Sequence, residues 1–214
     1  MVGKPRKRSS LIKLKRFIYL ISPNNIRKSF YNDLDKVLSS KKVKFFQIRL
    51  KKKSKQNIIK ISKKIKQITK KHKVNLIMND SPILAKMISA DGCHLGQSDM
   101  NFHLAKRYLK KKIIGVTCHG SKKIIIKAIN DKVNYIALGS FYNSNLKPNA
   151  KRAKKQILIW TKKKTKIPIV AIGGINDKNY KNLLKIGANY IAISSFIWNN
   201  PSLKPELAIQ NFKK

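Results

Sequence analysis

Short apolar runs and longer stretches of helical periodicity alternate along the whole chain. Phe17 to Ser22, Val43 to Leu50, Val74 to Met78, Gly92 to Leu95, Ile113 to Val116, Tyr135 to Leu138, Pro168 to Ile172 and Tyr190 to Ile193 are rich in apolar and β-branched residues, which predicts strands. The segments between them predict helices over 25–38, 53–71, 81–89, 102–110, 122–129, 156–163, 177–186 and 203–212. The second is the clearest: Ile58, Ile59, Ile61, Ile65 and Ile68 recur near helical period, and lysines fill the other face. Pro82 falls in the first turn of the third helix, where proline is tolerated. Strands that read as continuous apolar runs, each followed by a helix, belong to a parallel sheet buried on both faces. Eight such units predict an α/β fold closed into a single (β/α)8 TIM barrel, in preference to an open doubly wound sheet. A basic N-terminal segment over 1–16, open to being disordered, precedes a barrel domain over 17–214.

Composition changes this picture in one respect. The 214 residues include 50 Lys and Arg against eight Asp and Glu, a formal net charge of +42. Such an excess ordinarily points to nucleic acid or an anionic surface. Here the lysines run through nearly every segment, with Ile and Asn beside them. That spread reads as a drift in overall composition with nonspecific, salt-sensitive binding of polyanions as its consequence. The field would also attract phosphorylated substrates. No run approaches the roughly 18 apolar residues of a membrane span, and Phe17 to Ile21 is too short for the apolar part of a signal peptide. A cytoplasmic protein is expected. Cys93 and Cys118 sit in strand-like apolar contexts, which suits buried, reduced thiols.

Against this background the acids are informative, because Asp80, Asp91 and Asp99 fall within twenty positions. In parallel α/β proteins, residues just beyond the carboxyl ends of strands build the site. Asp80 and Asp99 stand at such ends and can hold one Mg2+, a hard ion that takes oxygen ligands and completes its shell with water and phosphate. Both also precede helices, so capping is the plainer alternative. Asp91, at the start of its strand, reads as structural. Gln47, Arg49 and Lys51 alternate and so project to one side, although an ordinary polar strand end would look the same in so basic a chain. Gly173 and Gly174 end the seventh strand, and Ser194 and Ser195 the eighth, the usual phosphate site of such barrels. Zinc is set aside: the pairs Cys93–His94 and Cys118–His119 place adjacent residues on opposite faces, at spacings that match no common zinc site. His94 is read either as a hydrogen-bond donor to the site or as a core histidine. A Ser-His-Asp hydrolase lacks its nucleophile elbow.

From Tyr19 to Ser195 the chain resembles the thiamine-phosphate synthase family. The resemblance rests on Gln47-Ile48-Arg49-Leu50-Lys51, on Asn79-Asp80, on Ala90 to Asp99 (ADGCHLGQSD), on Gly115-Val116-Thr117, on Lys147 and on Ala171-Ile172-Gly173-Gly174-Ile175. It implies a (β/α)8 enzyme that joins 4-amino-5-hydroxymethyl-2-methylpyrimidine diphosphate to 4-methyl-5-(2-hydroxyethyl)thiazole phosphate, giving thiamine phosphate and pyrophosphate. It implies further that Asp80 and Asp99 hold Mg2+ and that Arg49, Lys51, Asn79 and Lys147 grip the pyrophosphate. On the same basis Arg49, Lys51 and Lys147 are the catalytic residues, and Gln47 and Thr117 orient the pyrimidine. Ser144, Gly173, Gly174, Ser194 and Ser195 fall to the thiazole phosphate.

The chain departs from the family in three places. Ser144-Asn145-Leu146-Lys147 replaces a Thr-x-Thr-Lys loop and loses its second hydroxyl, Thr117 replaces a serine, and Ser140 and Asn143 stand where prolines are common. These changes bear on the thiazole side more than on the metal and pyrophosphate side. Two other readings stay open: a thiazole tautomerase-like barrel, which has no need of Asp80, Asp99 and Lys51 together, and a basic polyanion- or nucleic-acid-binding barrel without this activity. The second would leave the acidic pair unexplained.

Overall fold

Side chains in each strand divide by turns between the barrel axis and the surrounding helices, and that division organises the molecule. The computed structural model describes residues 16–143 and 152–213. In chain order the elements are β1 (Ile18–Ile21), α1 (Phe30–Ser39), β2 (Val43–Ile48), α2 (Lys55–Lys71), β3 (Asn75–Asn79), α3 (Pro82–Met87), β4 (Gly92–Leu95), α4 (Phe102–Leu109) and β5 (Ile113–His119). They continue as α5 (Lys122–Asn130), β6 (Tyr135–Leu138), α6 (Lys155–Lys164), β7 (Ile169–Ala171), α7 (Tyr180–Lys185), β8 (Tyr190–Ile193), α8 (Ser195–Trp198), α9 (Pro205–Ala208) and a 3-10 turn (Ile209–Asn211). The strands follow one another in parallel around a closed barrel, and β8 pairs with β1 to complete it. Along the axis Tyr19, Ile21, Phe45, Ile77, Tyr135, Ala137, Val170 and Ala192 form an inner core. The larger outer core, including Leu20, Phe46, Ile48, Leu76, Cys93, Ile114, Ile136 and Ile191, lies between strands and helices.

The periodic pattern of α2 is realised directly. Ser54 Oγ accepts the Asn57 N–H at 3.3 Å to cap it, and Ile58, Ser62, Ile65 and Thr69 are buried while Lys63 and Lys64 stay in solvent. Other boundaries differ from the pattern. α1 begins at Phe30, because Asn24 and Asn25 favour irregular backbone and keep the chain at the barrel mouth, where Asn24 lines a cavity. α7 begins at Tyr180, since Asn176 and Asn179 first exchange side-chain bonds with each other's N–H groups at 3.0 and 3.2 Å. The expected last helix is broken: α9 starts on Pro205 and tightens to the 3-10 turn after Ala208. Lys42 Nζ, largely buried, donates to the Ile209 and Gln210 carbonyls at 3.2 and 3.1 Å and so ties that turn to the barrel.

Six of the eight acids are committed to the scaffold. Asp33 lies in the first turn of α1, where a carboxylate favours the helix dipole. Asp35 accepts from Lys71 and meets His72 Nε2 at 2.8 Å. Asp91 Oδ2 accepts the Leu76 N–H at 2.7 Å, the structural role expected of it. Asp131 pairs with His103 and Lys127, Asp177 accepts from Asn211 at 3.0 Å, and Glu206 pairs with Lys36 at 3.4 Å. Among the described residues no helix is long and apolar enough to cross a membrane.

Candidate active site

The carboxyl ends of the strands surround a cavity of about 720 Å³. Alternation in and beyond β2 brings Gln47, Arg49 and Lys51 to its wall, while Phe46, Ile48 and Leu50 turn to the helices. Ser22 fixes the turn, its Oγ accepting the Arg49 N–H at 2.9 Å. The Arg49 guanidinium lies 3.5 Å from Asn24 Oδ1.

β3 delivers Asn79 and then Asp80, whose φ of 64° is left-handed, a conformation that Asp adopts more readily than most residues. The Asp80 N–H donates to the His94 carbonyl at 2.8 Å, so β4 fixes its position. Its Oδ2 lies 3.3 Å from Lys51 Nζ. Beyond β4, Asp99 Oδ2 accepts the Gly96 N–H at 2.6 Å. Neither acid caps its helix. Ser81 Oγ accepts the Leu84 N–H at 3.2 Å for α3, and Asn101 Oδ1 the Leu104 N–H at 3.0 Å for α4. The carboxylates are left to the cavity, near enough for the charge of one to act on the other. Burial first, then the charge of Asp80, push the Asp99 carboxyl above its usual range, against the pull of the Gly96 N–H and Lys51. Two carboxylates placed in this way offer oxygen ligands to a hard cation, which would relieve their repulsion.

The opposite side is built mainly from backbone. Gly173 and Gly174 have φ of 104° and 60°. A Cβ on Gly174 would stand 2.1 Å from the Asn143 carbonyl oxygen, and one on Gly173 2.6 Å from Ser140 Cα, so only glycine lets the loops after β6 and β7 close on each other. The Phe141 and Tyr142 N–H groups bind the Ile172 and Gly173 carbonyls, both at 3.0 Å. Ser194 Oγ donates to the Ser22 carbonyl at 3.2 Å, and Ser195 opens α8, a short helix that the hydropathy pattern did not reveal. Between the two sides stand His94 and Thr117, joined Nε2 to Oγ1 at 2.7 Å.

The structure thus gathers Gln47, Arg49, Lys51, Asn79, Asp80, Asp99, Thr117, Gly173, Gly174, Ser194 and Ser195 around one cavity. Ser144, Leu146 and Lys147 lie outside the described residues. His94 reaches the wall, whereas Cys93 and Cys118 are buried free thiols packed toward the helices. Ser22, Asn24 and His119 also line the cavity and were not anticipated. Ser22 and Asn24 follow an unremarkable apolar strand, and His119 extends β5 three residues beyond its expected end.

Residues 18–197 match the family model described as thiamine monophosphate synthase. A thiamine-phosphate synthase of Pelagibacter ubique (strain HTCC1062) is 54% identical over 200 residues, 93% of this chain and 97% of that protein. One of Erythrobacter litoralis (strain HTCC2594) is 35% identical over 187 residues, 85% of this chain and 88% of that one. Among solved structures, a thiamine phosphate pyrophosphorylase from Pyrococcus furiosus superposes with a TM-score of 0.82 at 26% identity, covering 93% of this chain and 94% of the other. The barrel and the order of strand-end residues coincide with a match that spans nearly all of β1 to α8, and the chain belongs to the thiamine-phosphate synthase family.

Proposed function

We propose that this cavity joins 4-amino-5-hydroxymethyl-2-methylpyrimidine diphosphate to 4-methyl-5-(2-hydroxyethyl)thiazole phosphate, forming thiamine phosphate and releasing pyrophosphate. The observation that carries the reading is the acidic pair: Asp80 and Asp99 face the same cavity, near enough for their charges to interact, are excused from helix capping by Ser81 and Asn101, and Asp80 pairs with Lys51 at 3.3 Å. A tautomerase without pyrophosphate chemistry has no use for that arrangement. The donor set fits Mg2+, two carboxylates leaving room in the shell for water and diphosphate oxygens. When bound, the ion would offset the charge that develops on the leaving pyrophosphate.

The chain's own groups do the rest. Arg49 and Lys51 take part of the diphosphate charge, with Asn79 as a neutral partner. Lys147, which falls between β6 and α6 in the sequence, would join them as a third cation. Gln47 and Thr117 orient the pyrimidine, and Ser144, the Gly173–Gly174 backbone, Ser194 and Ser195 receive the thiazole phosphate. Holding the thiazole nitrogen against the pyrimidine methylene carbon turns the C–N bond-forming step into a reaction of two bound partners. The C–O bond to pyrophosphate breaks as that electron pair arrives or just before, and no protein nucleophile is needed. The net positive field would draw both phosphorylated substrates and, with less discrimination, other polyanions. Incubating the purified chain with both substrates and Mg2+ is expected to yield thiamine phosphate and pyrophosphate in equal amounts. Failure of both to appear would overturn the reading.

A further inference from the structure

Four polar side chains form a hydrogen-bonded line from the inner core to the cavity wall. Tyr19 Oη lies 2.8 Å from Tyr135 Oη, Tyr135 Oη 2.9 Å from His94 Nδ1, and His94 Nε2 2.7 Å from Thr117 Oγ1. The Tyr135 ring stacks on the imidazole with 5.7 Å between centroids and 10° between planes. It fits there because residue 115 is glycine: a Cβ at that position would come within 1.9 Å of the ring.

The inner end of the line decides which way its protons point. A neutral imidazole donates from one nitrogen and accepts at the other, so two arrangements are open. If the protons point inward, Thr117 donates to Nε2, Nδ1–H to Tyr135 and Tyr135 to Tyr19. The hydroxyl of Tyr19, a residue only 2% exposed, then has no acceptor among the described residues, and a buried donor without a partner costs about 1–3 kcal/mol. If they point outward, Tyr19 donates to Tyr135, Tyr135 to Nδ1 and Nε2–H to Thr117, and the Thr117 proton is left for the cavity. Every buried donor is then used.

We infer that Tyr135 and His94 are positioning residues: Tyr135 holds His94 as the Nε2–H tautomer, and His94 so held makes the Thr117 hydroxyl a hydrogen-bond donor, directed at an acceptor nitrogen of the pyrimidine ring and away from its amino group. The ligand half of this inference rests on the proposed function. The tautomer half does not.

Two measurements test it. Nitrogen-15 NMR of the full chain labelled at its four histidines, with His94 assigned by the signal lost in His94→Gln, should show the Nε2–H tautomer at neutral pH. An Nδ1–H tautomer or an imidazolium overturns the proposal. In steady-state kinetics Tyr135→Phe, which keeps the ring and removes the donor, should raise the KM for the pyrimidine diphosphate about threefold to tenfold, as a lost net hydrogen bond would, and leave kcat within about twofold. The same substitution should add no penalty in a Thr117→Val background. Tyr190→Phe, at another tyrosine of the barrel interior that lies outside the line, should leave the KM unchanged. An equal penalty with and without the Thr117 hydroxyl would mean that Tyr135 acts through packing alone, and the proposal falls. If the wild-type chain forms no thiamine phosphate, the substrate reading fails while the tautomer measurement still decides the line.

Discussion

The two sides of the cavity are made of different materials. After β2, β3 and β4 the wall is charged side chain: Arg49, Lys51 and Asp80, each set by a bond to a neighbouring strand end, and Asp99, held by the Gly96 N–H of its own segment. After β7 and β8 it is chiefly main chain, where Gly173 and Gly174 bring backbone close to Ser140 and Asn143. A charged wall suits a step in which charge develops, because preorganised groups act most strongly where charge appears. A backbone wall suits a group that keeps its charge and has only to be held. The first side should therefore govern turnover and the second affinity.

Removing the acids should break the contrast most severely. Asp80→Asn or Asp99→Asn is expected to lower kcat by about a hundredfold or more, the scale of several kcal/mol of lost charge stabilisation, with unchanged circular dichroism. Full activity in either variant, or in excess chelator, would remove the Mg2+ assignment. Next comes Gly174→Ala. Its methyl would collide with the Asn143 carbonyl in a left-handed backbone, so the KM for the thiazole phosphate should rise about tenfold with the pyrimidine diphosphate KM little changed. A fall in kcat alone would show that both sides serve turnover.

Lys51→Ala should reduce turnover about tenfold through the lost contact to the leaving group, whereas neutralising Lys63 and Lys64, exposed on α2, should leave it within about twofold. Equal effects at the three lysines would make the general field, and not the strand end, responsible. The smallest change is expected at Leu146→Thr, which restores the second hydroxyl of the family's loop. The thiazole phosphate KM should fall by a factor of up to roughly ten, as a regained hydrogen bond to a charged group allows. An unchanged KM in a folded protein would mean that the phosphate is already satisfied.

The barrel was legible because its evidence is periodic: eight apolar runs and a pattern such as that of α2 repeat the same message. The charged wall was legible for a related reason, since Gln47, Arg49 and Lys51 follow the strand period and Asp80 and Asp99 stand out in a chain poor in acids. The capping question was not, because Ser81 and Asn101 are ordinary residues whose role depends on backbone geometry. Neither was the line from Tyr19 to Thr117. Its members come from four strands, and nothing in the local sequence joins Tyr135 to His94. α8 escaped because four residues are too few to show a period.

The scarcity of acids has a last consequence, for how far the composition of this chain can still move. All eight sit in specific roles: two at the cavity, one against a backbone N–H, one at a helix dipole and four facing Lys, His or Asn. Exchanging any of them for lysine would lose that role, and at Asp35, Asp80, Asp131 and Glu206 it would also place a positive charge beside a Lys partner. In the other direction, the outward face of α2 offers lysines such as Lys63 with no acidic partner among the described ion pairs, and glutamate there would meet only attraction. Lysines on that face can be given up without losing an ion pair, whereas each acid given up costs the chain a defined role.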